Sequence, residues 1–331
     1  MPVESATHIG KPVRRNIGGW QLAAVHAGVR PVWSSEIEAF PLDVTRRHFP
    51  DTIQLGDVTK IDGGKVQPVD IICAGSPCQD LSVGGKRAGL AGERSGLFVR
   101  AVDIVRQMRR ATGGRQPRFF VWENVPGAFE TNNGNDFRAV LEEIGESTIP
   151  VPRQNRWTNA GMVRTAKADI AWRLLDAKYF GVLQTRRRIF LVADFTETGR
   201  RAGEILFGIR RNQKAEEIHE TRRESPPKND GVDECVDIFV KSSFKEYREK
   251  RIAGTLCASG SDFGGGSESL VTQDGKNLRR LTPLECERLQ GLPDGWTAGG
   301  SDTARYKAIG NGMAQPCADY VLKRIAEVTG E

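Results

Sequence analysis

Val69-Asp70-Ile71-Ile72-Cys73-Ala74-Gly75-Ser76-Pro77-Cys78-Gln79 is the stretch on which the reading of this chain turns. Residues 69–74 form an apolar run of the length of a buried strand, and Gly75 ends it. A tight turn comes next, in which Pro77 fixes the backbone beside the Cys78 thiol. Beyond it the sequence is rich in glycine (Gly84, Gly85, Gly89, Gly92, Gly96), the composition of a mobile lid. On its own, a strand followed by Pro-Cys fits an inert structural thiol as well as a reactive one.

Outward from this stretch, short apolar runs alternate with helical patterns. Residues 29–33 read as a strand after an amphipathic stretch at 20–27. Residues 97–108 carry apolar side chains at helical spacing, and 118–122 and 188–193 read as further strands. Such alternation predicts an α/β domain with a mostly parallel sheet, whose ligand sites lie beyond the carboxyl ends of the strands. Two more groups sit at such ends. Glu123-Asn124-Val125 follows the strand at 118–122, where a carboxylate can act as a general acid or merely cap a turn. Gln184-Thr185-Arg186-Arg187-Arg188 leads into the strand at 188–193. Alternation along an extended segment puts Gln184, Arg186 and Arg188 on one face, either a substrate-binding face or a solvated basic edge.

The whole-chain arithmetic bounds the options. The 331 residues suffice for one large domain or two modest ones, and 38% hydrophobic with 27% charged residues is the balance of a soluble globular chain. No apolar run approaches a membrane span, and the N-terminus has no apolar signal core, so a cytoplasmic protein is expected. The net charge of +6 is compatible with a polyanionic partner without naming one. The six cysteines include no C-x-x-C pair and the four histidines are scattered, so no metal site is expected. After residue 194 the pattern changes. Residues 200–228 are basic without periodicity, and 253–275 are rich in Gly and Ser. Order returns with Thr282 as helix cap, Pro283 in the first turn and Glu285 three residues after the cap. A last helix is expected at 316–328. The expected boundaries are therefore 1–195, an inserted loop-rich 196–278, and a return to the first domain at 279–331.

Together the Pro-Cys-Gln turn, Glu-Asn-Val and Gln-x-Arg-x-Arg closely resemble the DNA (cytosine-5)-methyltransferases, in that family's order. The resemblance continues through Trp172-Arg173-Leu174-Leu175-Asp176-Ala177-Lys178-Tyr179-Phe180-Gly181-Val182, through residues 280–293, and through Arg305-Tyr306-Lys307-Ala308-Ile309-Gly310-Asn311-Gly312-Met313-Ala314. It implies a Rossmann-like, S-adenosylmethionine-dependent methyltransferase domain with a smaller target recognition domain inserted at 196–278. It further implies methyl transfer to carbon 5 of a cytosine flipped out of duplex DNA, through a covalent intermediate on Cys78. Pro77 and Gln79 flank that nucleophile. Glu123 matches the carboxyl that protonates or hydrogen-bonds the ring nitrogen. Arg186 and Arg188 match residues that hold the flipped base and its phosphate, and Asn124 matches the residue that orders the Pro-Cys turn. The stretch 80–98 matches the loop that closes on DNA. For the cofactor, Ile17, Gly18 and Gly19 match the end of the glycine-rich first turn, Glu36 the ribose-binding acid, Asp57 the residue beside adenine, and Asn311 the late motif closing the pocket. A monomer is implied, bacterial or phage-encoded, with a companion restriction endonuclease as possible partner.

Two departures stand out. Gly312 replaces the usual serine or alanine. The family opens with an apolar strand ending Asp-Leu-Phe-x-Gly-x-Gly-Gly, whereas this chain reads Pro12-Val13-Arg14-Arg15-Asn16-Ile17-Gly18-Gly19, with Arg14 in place of a buried Phe. No apolar run in 1–17 is long enough for a central strand. Two readings fit: a displaced start that leaves the polypeptide without its first strand, or a divergent protein with weakened cofactor binding. The abrupt loss before Ile17 favours the first and predicts poor folding or weak S-adenosylmethionine affinity. An RNA-directed relative and a catalytically silent DNA-binding module are the remaining alternatives. A zinc deaminase lacks its H-x-E and P-C-x-x-C here, and a nicotinamide enzyme its G-x-G-x-x-G.

Overall fold

The computed structural model describes residues 4–7, 17–75, 96–196, 201–208, 237–241, 247–250, 252–257, 269–272 and 278–330. The first half alternates as the sequence predicts: β1 (Glu4–Thr7), α1 (Gly19–His26), β2 (Arg30–Ser34), α2 (Ala39–His48), β3 (Ile53–Gln54), β4 (Ile71–Gly75), α3 (Gly96–Ala111), β5 (Phe119–Asn124) and α4 (Asn135–Gly145). Three strands follow, β6 (Ala160–Arg164), β7 (Asp169–Asp176) and β8 (Arg187–Asp194), then α5 (Ala202–Phe207). These eight strands make one sheet in the order β3-β2-β1-β4-β5-β8-β7-β6. Pairing is parallel from β3 to β5 and antiparallel from β5 to β6, so the sheet is mixed, with its parallel half at the front of the chain.

Side-chain alternation along β5 explains why helices cover both faces. Phe120 and Trp122 join the cluster with Phe98 of α3 and Phe137 of α4. Phe119 and Val121 join the cluster with Trp20 of α1, Ile205 of α5 and the C-terminal helix. A strand buried on both faces must be apolar throughout, which is why the runs at 69–74 and 118–122 were legible.

The expectation that the N-terminus supplies no central strand is overturned. β1 lies between β2 and β4, with Ser5 opposite Ile71 and Thr7 opposite both Cys73 and Ser34. The physical reason is that ladder pairing belongs to the backbone. The inward edges of β2 and β4 present N–H and C=O groups that must be paired, and an extended segment meets that need without an apolar run. Arg14, with the rest of 8–16, lies outside the described residues. Since the chain passes from β1 outward to β2 and β3 and then returns to β4, β1 and β4 flank the topological switch point where ligands bind in such sheets.

The second region contains β9 (Asp237–Lys241), β10 (Tyr247–Lys250) and β11 (Ser269–Thr272), which with β12 (Arg279–Arg280) form a four-stranded antiparallel sheet in the order β10-β9-β11-β12. The chain then returns through α6 (Pro283–Gln290), α7 (Asp302–Asn311) and α8 (Gln315–Gly330). The start of α6 matches the sequence expectation: Thr282 Oγ1 accepts from the Glu285 N–H, and the Glu285 carboxylate accepts from the Thr282 N–H, a reciprocal capping box. α5 packs on β7 and α8, although the boundary expected at 196 assigned it to the inserted region. A third apolar cluster joins Ile238 and Val271 of the small sheet to Leu281, Trp296 and Ile309 and to Ile17 and Leu22.

Candidate active site

The carboxyl end of β5 carries the first site residue. Glu123 pairs in register with Gly75, the last residue of β4 and three positions before Cys78. Pro77, Cys78 and Gln79 themselves lie outside the described residues, as does 80–95. Of the segment expected over 80–98 to close on DNA, residues 96–98 belong to the first turn of α3 instead. Glu123 is 5% exposed, and its Oε1 lies 3.1 Å from Arg188 Nε at the start of β8. The antiparallel β5–β8 ladder produces this pair, with Glu123 opposite Phe190. Asn124 accepts from the Val125 N–H at 2.7 Å, which shapes the turn after β5.

The three alternating residues at 184, 186 and 188 have separate roles. Only Arg188 faces Glu123. Arg186 is 1% exposed, and its guanidinium donates to the main-chain oxygens of Leu256 and Gly310, each at 2.8 Å, and of Gly312. It thus joins the inserted region to the Gly310-Asn311-Gly312 motif. Gln184 is fully buried and likewise engaged, donating to Leu289 O and accepting from the Leu256 N–H.

A second cluster lies past the carboxyl ends of β1, β2 and β3. Glu36, 2% exposed, follows β2. Its Oε1 accepts from the N–H groups of Ile37 and Glu38 at 2.8 and 2.9 Å, which fixes the carboxylate at the strand end. Ile37 beside it is an exposed apolar side chain at 43%, which sequence reading did not single out. Asp57 follows β3 and accepts from the N–H and hydroxyl of Thr59. Ile17, Gly18 and Gly19 form the entry to α1. Ile17 O accepts from Trp296 Nε1, and the Trp296 ring stacks on His48 at 3.7 Å. Gly18 has φ +89°, and a Cβ there would meet the Phe49 ring at 2.8 Å and Trp296 at 3.3 Å. Gly18→Ala is therefore expected to cost about 1–3 kcal/mol of stability, read by chemical denaturation. An unchanged midpoint would show that the turn is not under this constraint.

These residues fit a cofactor with ribose hydroxyls and an amino-acid end. Gln315, 1% exposed, donates to Gly19 O and Asp319, while its buried Oε1 has no partner and lies 3.3 Å from the position of a Gly19 Cβ. An acceptor left open beside a glycine turn leaves a donor to be supplied from outside the chain. Asn311 is the last residue of α7.

The remaining thiols divide by burial. Cys73, Cys286 and Cys317 are buried, and desolvation raises all three, the latter two to about 12. Cys317 lies close enough to sense Asp176, Arg186, Glu123 and Arg188. Cys257 is exposed, and Cys235 lies outside the described residues. Among the described residues no group of three or more His, Cys, Asp or Glu could hold a metal ion, and no helix is long and apolar enough to cross a membrane.

With this geometry in place, comparison with known proteins decides the family. The chain matches the C-5 cytosine-specific DNA methylase family over residues 15–230 and 209–327. It belongs to that family. The type II methyltransferase M1.ScrFI of Lactococcus lactis subsp. cremoris is 30% identical over 320 residues, covering 91% of this chain and 73% of the relative. M.HpaII of Haemophilus parainfluenzae is 27% identical over 346 residues, covering 95% and 88%. A protein of Escherichia phage P1 named as a DNA N-6-adenine-methyltransferase is 28% identical over 444 residues, covering 91% of this chain. The chain spans only 58% of that relative's length, so the relative's name does not carry over. Among solved structures, the Entamoeba histolytica methyltransferase EhMeth superposes with a TM-score of 0.63 at 14% identity over the full length of both chains. The S. pombe Dnmt2 methyltransferase gives 0.62 at 15%, over 99% and 98%. At such identities the likeness establishes the methyltransferase fold. Sequence reading missed Gln315, whose only signal is a polar residue amid apolar neighbours, and the main-chain partners of Arg186, which leave no signal at all.

Proposed function

We propose that this C-5 cytosine methylase transfers a methyl group from S-adenosylmethionine to carbon 5 of a cytosine flipped out of duplex DNA, with Cys78 as nucleophile. The observation that carries the reading is the Glu123–Arg188 pair, set at the end of β5 in register with the strand that leads into Pro77-Cys78. Carbon 5 of cytosine is a weak nucleophile while the ring keeps its conjugation. Addition of the Cys78 thiolate to carbon 6 forms an S–C bond and moves the carbon 5–carbon 6 electron pair onto carbon 5. Glu123 holds a proton at ring nitrogen 3, which is conjugated with carbon 5 through carbon 4, so charge does not accumulate on the base. Arg188 keeps that carboxyl in place and presents its own donors to the base. Carbon 5 then takes the methyl group. Loss of its proton to solvent and expulsion of the Cys78 thiolate restore the double bond.

S-Adenosylmethionine supplies an electrophilic methyl on sulfur. Glu36 would hold the ribose hydroxyls, with Asp57 and the exposed face of Ile37 beside the adenine. Ile17, Gly18, Gly19 and Asn311 would surround the amino-acid end, with the open Gln315 Oε1 within that wall. Asn124 would set the turn that carries Pro77, Cys78 and Gln79. The inserted region would read bases while its basic side chains hold phosphates. Relatives named as type II methyltransferases support a companion restriction endonuclease and action on DNA in a bacterial or phage-infected cytoplasm.

Covalent trapping on duplex DNA containing 5-fluorocytosine tests the reading, because fluorine cannot leave as the proton does. A stable adduct formed in the presence of cofactor is expected. An adduct on a modified RNA alone would replace DNA by RNA as substrate, and no adduct on either would remove the covalent mechanism. Glu123→Gln should cut methyl transfer by about 10²–10⁴-fold while leaving DNA affinity intact. A loss smaller than tenfold would take Glu123 out of the proton path.

A further inference from the structure

The main chain at 183–186 is docked along residues 253–256 of the inserted region. Thr185 N–H donates to Ala253 O and Ala253 N–H to Leu183 O, both at 2.9 Å, so Gln184 and Ala253 form a parallel bridge. Thr255 Oγ1 donates to Thr185 O at 2.6 Å. Both polar groups of the Leu256 main chain are then taken by side chains from 184–186: its N–H by Gln184 Oε1 and its C=O by Arg186. The other end of the Gln184 amide donates to Leu289 O at 2.8 Å and to Gln290 Oε1 at 3.2 Å, and Gln290 in turn donates to Ile309 O. Both amide hydrogens of Gln184 and its oxygen are thus engaged by the protein, and the side chain is fully buried. It has nothing to offer a base. The amide orientation is fixed, because its NH₂ faces two oxygens and its oxygen faces an N–H.

We propose that Gln184 is a positioning residue that makes methyl transfer answer to target recognition. The inference rests on the functional reading above, in which the inserted region meets the DNA. Residues 253–256 lie between β10 and β11 of the small sheet, so any displacement of that sheet on DNA moves Leu256. Leu256 cannot move without moving Gln184 and Arg186, and two residues further on is Arg188, the partner of Glu123. Through Arg186 the same displacement reaches Gly310 and Gly312, beside Asn311. Target engagement and the catalytic pair are therefore parts of one hydrogen-bonded unit, and two sites joined this way are energetically coupled.

The test compares turnover on the target duplex with turnover on a duplex carrying one mismatched base pair, the target being read from the methylation pattern of DNA exposed to the protein. Gln184→Met removes all three hydrogen bonds at similar volume. We expect kcat on the target to fall about tenfold toward the mismatch value, while the Kd for the target duplex stays within about twofold. A merely structural role would lower the amount of folded protein and leave the target-to-mismatch ratio unchanged. Thr255→Val, which deletes only the hydroxyl donated to Thr185, loosens the same joint in an isosteric side chain and should give the same kcat-against-Kd split at about threefold. An unchanged ratio in either folded variant, or weakened DNA binding with full kcat, would overturn the proposal. Absence of transfer by the unaltered protein would overturn this inference together with the functional reading. Failure of the joint alone is distinguished by an unaltered protein that still forms the 5-fluorocytosine adduct.

Discussion

Cys78→Ser is expected to leave a protein that binds duplex DNA and cofactor but transfers no methyl group. Addition to carbon 6 needs an anionic nucleophile, and a thiolate is accessible near neutral pH where an alkoxide is not. Arg188 and Glu123 would still receive the base, since they stand on β8 and β5. The loss should therefore appear in kcat, by at least about a thousandfold, equivalent to about 4 kcal/mol of transition-state stabilisation. Affinity for DNA should change little. Rapid-quench methyl transfer and the 5-fluorocytosine adduct report the same event independently. Retention of more than a few per cent of the wild-type rate would mean that carbon 5 is activated without a covalent bond to Cys78.

The second large effect concerns folding. Arg186→Leu should destabilise the protein by at least about 3 kcal/mol, because it strands three main-chain oxygens that now accept from one buried cation. These oxygens belong to Leu256, Gly310 and Gly312, segments far apart in sequence, so no local rearrangement re-pairs them. Arg186→Lys should recover only part of the loss, since an ammonium cannot present a planar fork to three acceptors. Urea denaturation of the two variants decides the matter. A cost below about 1 kcal/mol for Arg186→Leu would show that the guanidinium does not hold these segments together.

The parts of this molecule that were legible in sequence are those where one residue type serves one purpose. The runs at 71–74 and 119–122 are buried on both faces and so are apolar throughout. The capping box at Thr282 writes its hydrogen bonds into the spacing of Thr and Glu. Glu123 and Arg188 could be placed from sequence because they sit at strand ends that the apolar runs had already located. β1 was illegible for the opposite reason: Glu4-Ser5-Ala6-Thr7 is held by the backbone of its neighbours, and nothing in its composition says so. The antiparallel half of the sheet was hidden because strand direction leaves no mark on hydrophobic pattern. The role of Arg186 was hidden because its acceptors are main-chain oxygens, which carry no residue identity.

The joint at Leu256 has a bearing on how such enzymes diversify. Gln184 and Arg186 grip the peptide groups of Leu256, and Thr185 pairs with the main chain of Ala253. The hydrogen-bonded grip takes its atoms from the polypeptide track, so side chains elsewhere in the inserted region can drift, and with them the bases read. A recognition segment transplanted from a relative would be accepted by the catalytic core provided its backbone follows the same path past residue 184. Variation in what is recognised and constancy in how recognition is heard can thus be inherited separately.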